Sequence, residues 1–273
     1  MFIDSFSKFY SLQVRRGEKQ NRTLKFSLEV ASIIAGLSLT VAVWALAAKL
    51  GGYPVFILPD PLTVWQELVK AASGGLLWYH AQATLVEIMG GLALGLTAAT
   101  TAGYFLAKSP LLERLAGPYI VASQSIPAIA IAPLLIIWFG SGKLSKVIIC
   151  ALVVFFPVLV NTIVGIRSVD DGLQTLMRSL RASRWQTFTM LEVPAALPVL
   201  LGGLKIGVTL SVIGAVVGEF VGADRGLGYL INLSKGLFNT PLMFAALITL
   251  AAISLALYLL VSGLERRLLA WRE

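Results

Sequence analysis

The sequence predicts an all-α, polytopic membrane protein with six transmembrane helices and one helical loop on the cytoplasmic side. Composition and charge placement predict it. Of 273 residues, 57% are apolar and only 13% charged, about half the charged share of a soluble domain, and mean hydropathy is +0.84. The charge is bunched: 28 residues between Arg114 and Lys143, and 29 between Lys235 and Glu265, contain no Asp, Glu, Lys or Arg. A helix crossing hydrocarbon needs about 20 such residues. These figures exclude a disordered tail, a nucleic-acid-binding module and an ordinary soluble enzyme. The net charge of +8 then belongs to loops kept on the cytoplasmic face.

Residues 1–26 carry Lys8, Arg15, Arg16, Lys19, Arg22 and Lys25 and read as a cytoplasmic lead. The domain of six spans occupies 27–264, with its largest cytoplasmic loop at 167–194, and 265–273 form a cytoplasmic tail. The first span is Val30 to Ala48, longer than a signal-peptide core and so read as uncleaved. An exported loop, 49–80, follows. In it Leu58-Pro59-Asp60-Pro61 makes a rigid turn, and Leu62, Trp65, Leu68 and Val69 predict a short helix lying at the interface. His80 is expected to be an ordinary interfacial residue of that loop.

The second span runs from about Leu85 to Ala107, with Gly91, Gly95, Ala99 and Gly103 along one face. Small residues at this spacing admit close helix packing, within the chain rather than between copies. The third span, about Ala116 to Phe139, contains Pro127 and Pro133; the fourth, Val147 to Ile166, contains Pro157. Proline in a spanning helix frees backbone carbonyls that neighbouring helices or a wet cavity must satisfy. The fifth, about Leu197 to Gly218, holds Lys205, the one Lys or Arg placed inside a span, expected to snorkel or to pair with another span. The sixth runs from about Leu242 to Leu264. An even number of spans puts both termini on one side. That side collects fifteen Lys and Arg against six on the other, which places the termini in the cytoplasm.

Chemistry-bearing motifs are sparse. The single Cys150 cannot form a disulfide within the chain, and a lone His80 cannot build a His-rich metal site. Gly103-Tyr104-Phe105-Leu106-Ala107-Lys108-Ser109 lacks the second glycine of a phosphate loop. The chain is therefore expected to bind no cofactor and to be no enzyme.

The loop between the fourth and fifth spans is the most informative segment. Leu173, Leu176, Met177 and Leu180 recur at helical spacing behind Asp170 and Asp171, an apolar helix face with acid at its N-terminus. Two roles fit this amphipathicity: a helix lying on the inner leaflet with arginines on lipid phosphates, or a docking helix for a cytoplasmic partner.

Leu180-Arg181-Ala182-Ser183-Arg184-Trp185-Gln186-Thr187-Phe188, followed by Val193-Pro194-Ala195-Ala196-Leu197-Pro198, resembles the EAA loop of ABC-importer permeases. Further segments resemble the nitrate, sulfonate and taurine branch: Leu58 to Pro61, Ala132-Pro133-Leu134-Leu135-Ile136-Ile137-Trp138-Phe139-Gly140, Phe155-Phe156-Pro157 before Asn161 and Gly165, Gly226-Leu227-Gly228, and Glu265-Arg266-Arg267 with Trp271-Arg272. The resemblance implies an inner-membrane permease with two copies forming the pathway, a homodimer. Separate ATPase subunits would hold ATP and Mg, and a periplasmic or lipid-anchored binding protein would deliver the solute. It also implies that Leu173, Leu176, Met177, Leu180, Arg181, Ala182, Ser183, Arg184 and Trp185 couple to the ATPase. The third and fifth spans would line the pathway, with Ser123, Gln124, Ser125 and Pro127 along it and Glu219 at its outer end. The match departs at Thr175, where the family has Glu, and at Arg181, where it has the Gly of the bend. Gly214 to Tyr229 looks most like permeases for riboflavin or the thiamine pyrimidine; permeases for nitrate, taurine or aliphatic sulfonates are the alternative. A stand-alone channel or a membrane enzyme is the reading from a different class.

Overall fold

The computed structural model describes residues 31–32 and 34–270, and every regular element among them is helical. The basic lead, and Trp271 to Glu273 of the tail, lie outside the described residues. The chain divides into two compact units at Val64 and Trp65. In the first, helix α1 (Ile34–Leu50) leads into a turn closed by Ile57 N–H on Pro54 O at 2.8 Å, and Trp44 Nε1 donates to Pro59 O at 3.0 Å. Asp60 Oδ1 accepts from Thr63 N, and Pro61 occupies the first position of α2 (Pro61–Ser73), in the first turn, where the missing N–H would have no partner within the helix.

The second unit contains α3 (Leu76–Lys108), α4 (Pro110–Gln124), α5 (Ala128–Phe139), α6 (Lys143–Arg167), α7 (Asp171–Ser179), α8 (Arg184–Thr187), α9 (Val193–Gly222), α10 (Leu227–Gly236) and α11 (Thr240–Leu268). Its centre is α6, held between α3 and α9. Two stripes of small residues make that possible. On α3, a Cβ added to Gly95 would lie 2.7 Å from Ala151 O, and one at Gly103 would lie 2.7 Å from Thr162 Cβ. On α9, Gly207 faces Val154 and Val158, and Gly218 faces Lys146 and Ile149. The α3 stripe thus packs inside the chain, as expected. Around it, Leu92, Ala99, Val154, Val158, Leu159, Val208 and Val261 form one core cluster, and Ala71, Leu77, Ala81, Leu227, Leu230, Ile231 and Ala246 form another toward one end.

Four described helices are long and apolar enough to cross a membrane: Leu76–Lys108, Lys143–Arg167, Arg184–Gly222 and Thr240–Leu268. The expected third span is not one helix. It breaks after Gln124, and the two arms diverge by 100°. Pro127 explains the break: it has no N–H to donate, and it sits in extended backbone at φ −63°, ψ 128°. Counting that pair as one span gives five; the first expected span is represented among the described residues by Ile34–Leu50.

The ends of the spans also differ from expectation. The 49–80 segment is largely helical, because α3 begins at Leu76, so His80 lies inside α3 and is buried. Likewise α6 begins at Lys143, which takes Lys146 into the bundle, 2% exposed, with its Nζ 3.6 Å from Glu87 Oε1. Lys205 is therefore not the only cation within a span. It reaches Glu265 near the end of α11, in agreement with pairing to another span.

Candidate functional site

The loop between α6 and α9 folds as two short helices joined by a tight bend. Asp170 starts α7: its Oδ1 accepts from Gly172 N at 2.7 Å and Leu173 N at 3.2 Å, an Asp N-cap satisfying orphan donors. The apolar face points outward from the chain. Leu173 and Leu176 are exposed, Met177 half-buried, and Leu180 is 69% exposed.

Arg181 makes the bend, at φ +52°. Its N–H bonds Arg178 O at 3.0 Å, and Ala182 N–H reaches back to Met177 O at 2.9 Å. This pair of bonds is the Schellman arrangement, with Arg181 in the position that glycine normally fills. The turn expected of the family glycine is thus formed without it, in a conformation costing a non-glycine residue about 1–2 kcal/mol.

Ser183 then caps α8. Its Oγ accepts from Gln186 N at 3.2 Å while its N–H donates to Gln186 Oε1 at 2.7 Å, the reciprocal pair of a capping box. Trp185 is 71% exposed, its ring 5.7 Å from that of Phe188, which in turn meets Tyr104 of α3 edge-on at 5.3 Å. Residues Phe188–Glu192 form a π-helical turn immediately before Pro194. Proline disrupts the i to i−4 ladder there, and a wider turn is one local adjustment to it. Buried Glu192 accepts from Lys108 at the end of α3, and Arg167 makes a paired contact with Glu113 of α4. The loop is thus tied to the helix ends while its apolar residues stay open.

The break between α4 and α5 borders a cavity of about 310 Å³, lined by Ser123, Gln124 and Pro127 together with Phe156, Pro157 and aliphatic residues of α5, α6 and α9. Among the described residues, no Asp, Glu, Lys or Arg lines it. Ser123 Oγ bonds Ile120 O at 2.9 Å, Gln124 Nε2 the same carbonyl at 3.4 Å, and Ser125 Oγ reaches Val121 O at 3.5 Å. Their hydroxyls and amide therefore lean on their own helix. Ser125 is not among the lining residues, and Glu219 stands apart.

Glu219 is 1% exposed, inside a polar network at the opposite end of the bundle from the loop. Its Oε1 accepts from Thr84 Oγ1 at 2.7 Å, and its Oε2 accepts from Gly228 N. Thr84 accepts in turn from Leu227 N at 2.8 Å, and His80 Nδ1 from Gly226 N at 3.1 Å. Glu87 and its partner Lys146 lie beside Glu219. Glu219 ties backbone to bundle, joining α3, α9 and the first turn of α10. Sequence reasoning missed His80, Thr84, Glu87 and Lys146 as a group. The available signal was the spacing of His80, Thr84 and Glu87 at i, i+4 and i+7, a polar stripe within an apolar helix.

Residues 91–270 match the family model described as binding-protein-dependent transport system inner membrane component. Over 262 residues the chain is 46% identical to the riboflavin transport system permease protein RibX of Chloroflexus aurantiacus, covering 96% of this chain and 98% of that one. It is 36% identical to the formylaminopyrimidine transport permease protein ThiX of Halalkalibacterium halodurans, covering 85% of this chain and 92% of the relative. The taurine transport system permease protein TauC of Escherichia coli is 31% identical, with 90% and 91% covered. In fold, the chain is similar to an inward-facing structure of the MetNI methionine ABC transporter, with a TM-score of 0.61 at 19% identity over 68% of this chain and 93% of that one. The chain belongs to the binding-protein-dependent transport system inner membrane component family and is a multi-pass inner-membrane permease of an ABC importer.

Proposed function

We propose that this permease carries a neutral heterocyclic solute of the riboflavin or thiamine-precursor kind. The observation that carries the reading is the 46% identity to a riboflavin permease across nearly the whole of both chains. The uncharged cavity at the α4–α5 break agrees with it, since an anion route calls for fixed positive charge. Two copies would face each other to form the pathway, with Ser123, Gln124 and Pro127 along it. Both termini would lie in the cytoplasm. ATP and Mg would be held by separate ATPase subunits docked on Leu173, Leu176, Met177, Leu180 and residues 181–185, and this chain would bind no cofactor. A binding protein, periplasmic or lipid-anchored, would deliver the solute. Closure of the ATPases on ATP would move the docked loops and switch access between two preexisting arrangements of the spans.

The test is uptake by a strain expressing the whole system. Labelled riboflavin or thiamine pyrimidine should be taken up faster than taurine, an aliphatic sulfonate or nitrate; the reverse ranking would reject the heterocycle assignment. Gln124→Ala should change solute affinity or transport rate, and unchanged values for both would remove Gln124 from the pathway.

A further inference from the structure

We infer that α10 is capped in trans, and that His80, Thr84 and Glu219 are positioning residues that make the Ala223–Gly236 segment move as one body with α3 and α9. The first N–H groups of a helix have no partner within it, and most helices satisfy one of them with a side chain at their own N-cap. The N-cap of α10 is Gly226, which has no side chain to offer. Three successive N–H groups, of Gly226, Leu227 and Gly228, are taken instead by His80 and Thr84 of α3 and Glu219 of α9. Each contributing group is buried, and Thr84 is fully so. The acidic group also stands where the helix dipole is positive.

The turn is built for this contact. Gly226 has φ +128°, which disfavours any other residue, and a Cβ there would collide with the Glu219 carboxyl. A Cβ on Gly228 would lie 2.7 Å from Glu219 Oε2. The single hydroxyl of Thr84 bridges both partners, donating to Glu219 and accepting from Leu227 N. The cap therefore holds only while α3 and α9 keep their mutual register at this end of the bundle. A shift of one helix past the other would strip α10 of donors' partners that water cannot replace in a buried site. Resting on the importer reading, this gives the cap a role in transport. It links the end of the bundle remote from the ATPase-docking loop to the two helices that enclose α6, so that a change of register is registered at both ends.

Thr84→Val removes the hydroxyl's bonds to Glu219 and Leu227 N, and its longer contact with His80 O, at constant shape, and Thr84→Ser restores them. In the purified permease–ATPase complex, hydrogen exchange of the peptide covering residues 223–232 should quicken about tenfold in Thr84→Val, the loss of roughly one hydrogen bond, while α6 peptides stay at wild-type rates and Thr84→Ser behaves as wild type. His80→Ala should quicken the same peptide by a smaller factor. Stimulation of ATP hydrolysis by solute-loaded binding protein should fall about fivefold or more in Thr84→Val, a minimal allosteric coupling, with hydrolysis in its absence unchanged. Wild-type exchange in residues 223–232 of both variants would overturn the trans cap. Local fast exchange with full stimulation would overturn the positioning role. A wild-type complex that no solute-loaded binding protein stimulates would overturn the proposed delivery by a binding protein, and the exchange result, which needs no binding protein, would still decide the cap.

Discussion

Gly214 of α9 lies directly on Cys150 of α6: a Cβ added at Gly214 would stand 2.7 Å from Cys150 Cα, a backbone atom that cannot step aside. On its other side Cys150 meets Gly91 of α3, so all three central helices come close together at this fully buried residue. Between membrane helices the gain comes from packing rather than from expelling water, and it depends on this proximity.

Gly214→Ala should therefore force α6 and α9 apart and lower stability by about 1–3 kcal/mol, the usual cost of overpacking. The unfolding midpoint in detergent checks it. Gly202→Ala serves as control, because a Cβ at Gly202 meets nothing within 4 Å. Equal midpoints for the two variants would contradict the three-helix contact.

Arg181 holds its bend against its own preference. Arg181→Gly should relieve about 1–2 kcal/mol of left-handed strain and lose part of this, about 0.5–1 kcal/mol, to glycine's greater freedom when unfolded. Slower hydrogen exchange at Leu180 to Ala182 is the expected readout. Arg181→Val should act oppositely, speeding exchange there and weakening ATPase retention on immobilised permease.

The open face of α7 and the exposed Trp185 carry the docking proposal. Burying one such side chain is worth about 1.5–3 kcal/mol, and a charge forfeits this and adds a desolvation cost. Leu180→Asp or Trp185→Asp should abolish ATPase retention and transport while the spans still insert. If the loop instead lies on lipid, joint loss of Arg178 and Arg184 should matter more than loss of Trp185, with an effect that tracks anionic lipid. Normal retention by Trp185→Asp in detergent without anionic lipid would end the docking assignment.

Topology follows from charge bias and is checked by thiol labelling of intact cells. Cysteines replacing Leu12 and Arg272 should be shielded from an impermeant reagent, and one replacing Ser73, which is exposed, should react. Gly75 is the poorer site because its φ of +77° would strain a cysteine. Native Cys150 is buried and should stay silent. Labelling at 272 from outside would invert the arrangement.

Much of this architecture was legible in the residues. Hydropathy located the long helices, because an apolar run in lipid has no alternative to internal hydrogen bonding. The i, i+3, i+4, i+7 pattern located α7, and Leu180 to Pro198 carried the family resemblance. Helix ends were misjudged wherever polar residues sat inside the bundle. His80 and Lys146 read as loop residues because single-chain polarity cannot reveal that a partner waits on another helix. The break after Gln124 was hinted at by Pro127, but proline also sits unbroken within α6 at Pro157 and within α9 at Pro198, so its presence alone does not decide between a bend and a straight helix.

Composition, periodicity and local motifs alone determined that this is a helical membrane protein, that its charged loop carries an amphipathic helix, and that it resembles ABC-importer permeases. These are properties of neighbours along the chain. Only the tertiary structure decided that Glu219, Thr84 and His80 converge on the first turn of α10, that Lys205 meets Glu265, and that Arg181 adopts a glycine's conformation. Apart from Glu219 and Gly228, which are nine positions apart, the first two join residues 60 or more positions apart, and the third is a local strain that the bonded ends of α7 and α8 impose. Such pairings depend on which helix faces lie together, and that is settled by packing, not by any residue's own preference.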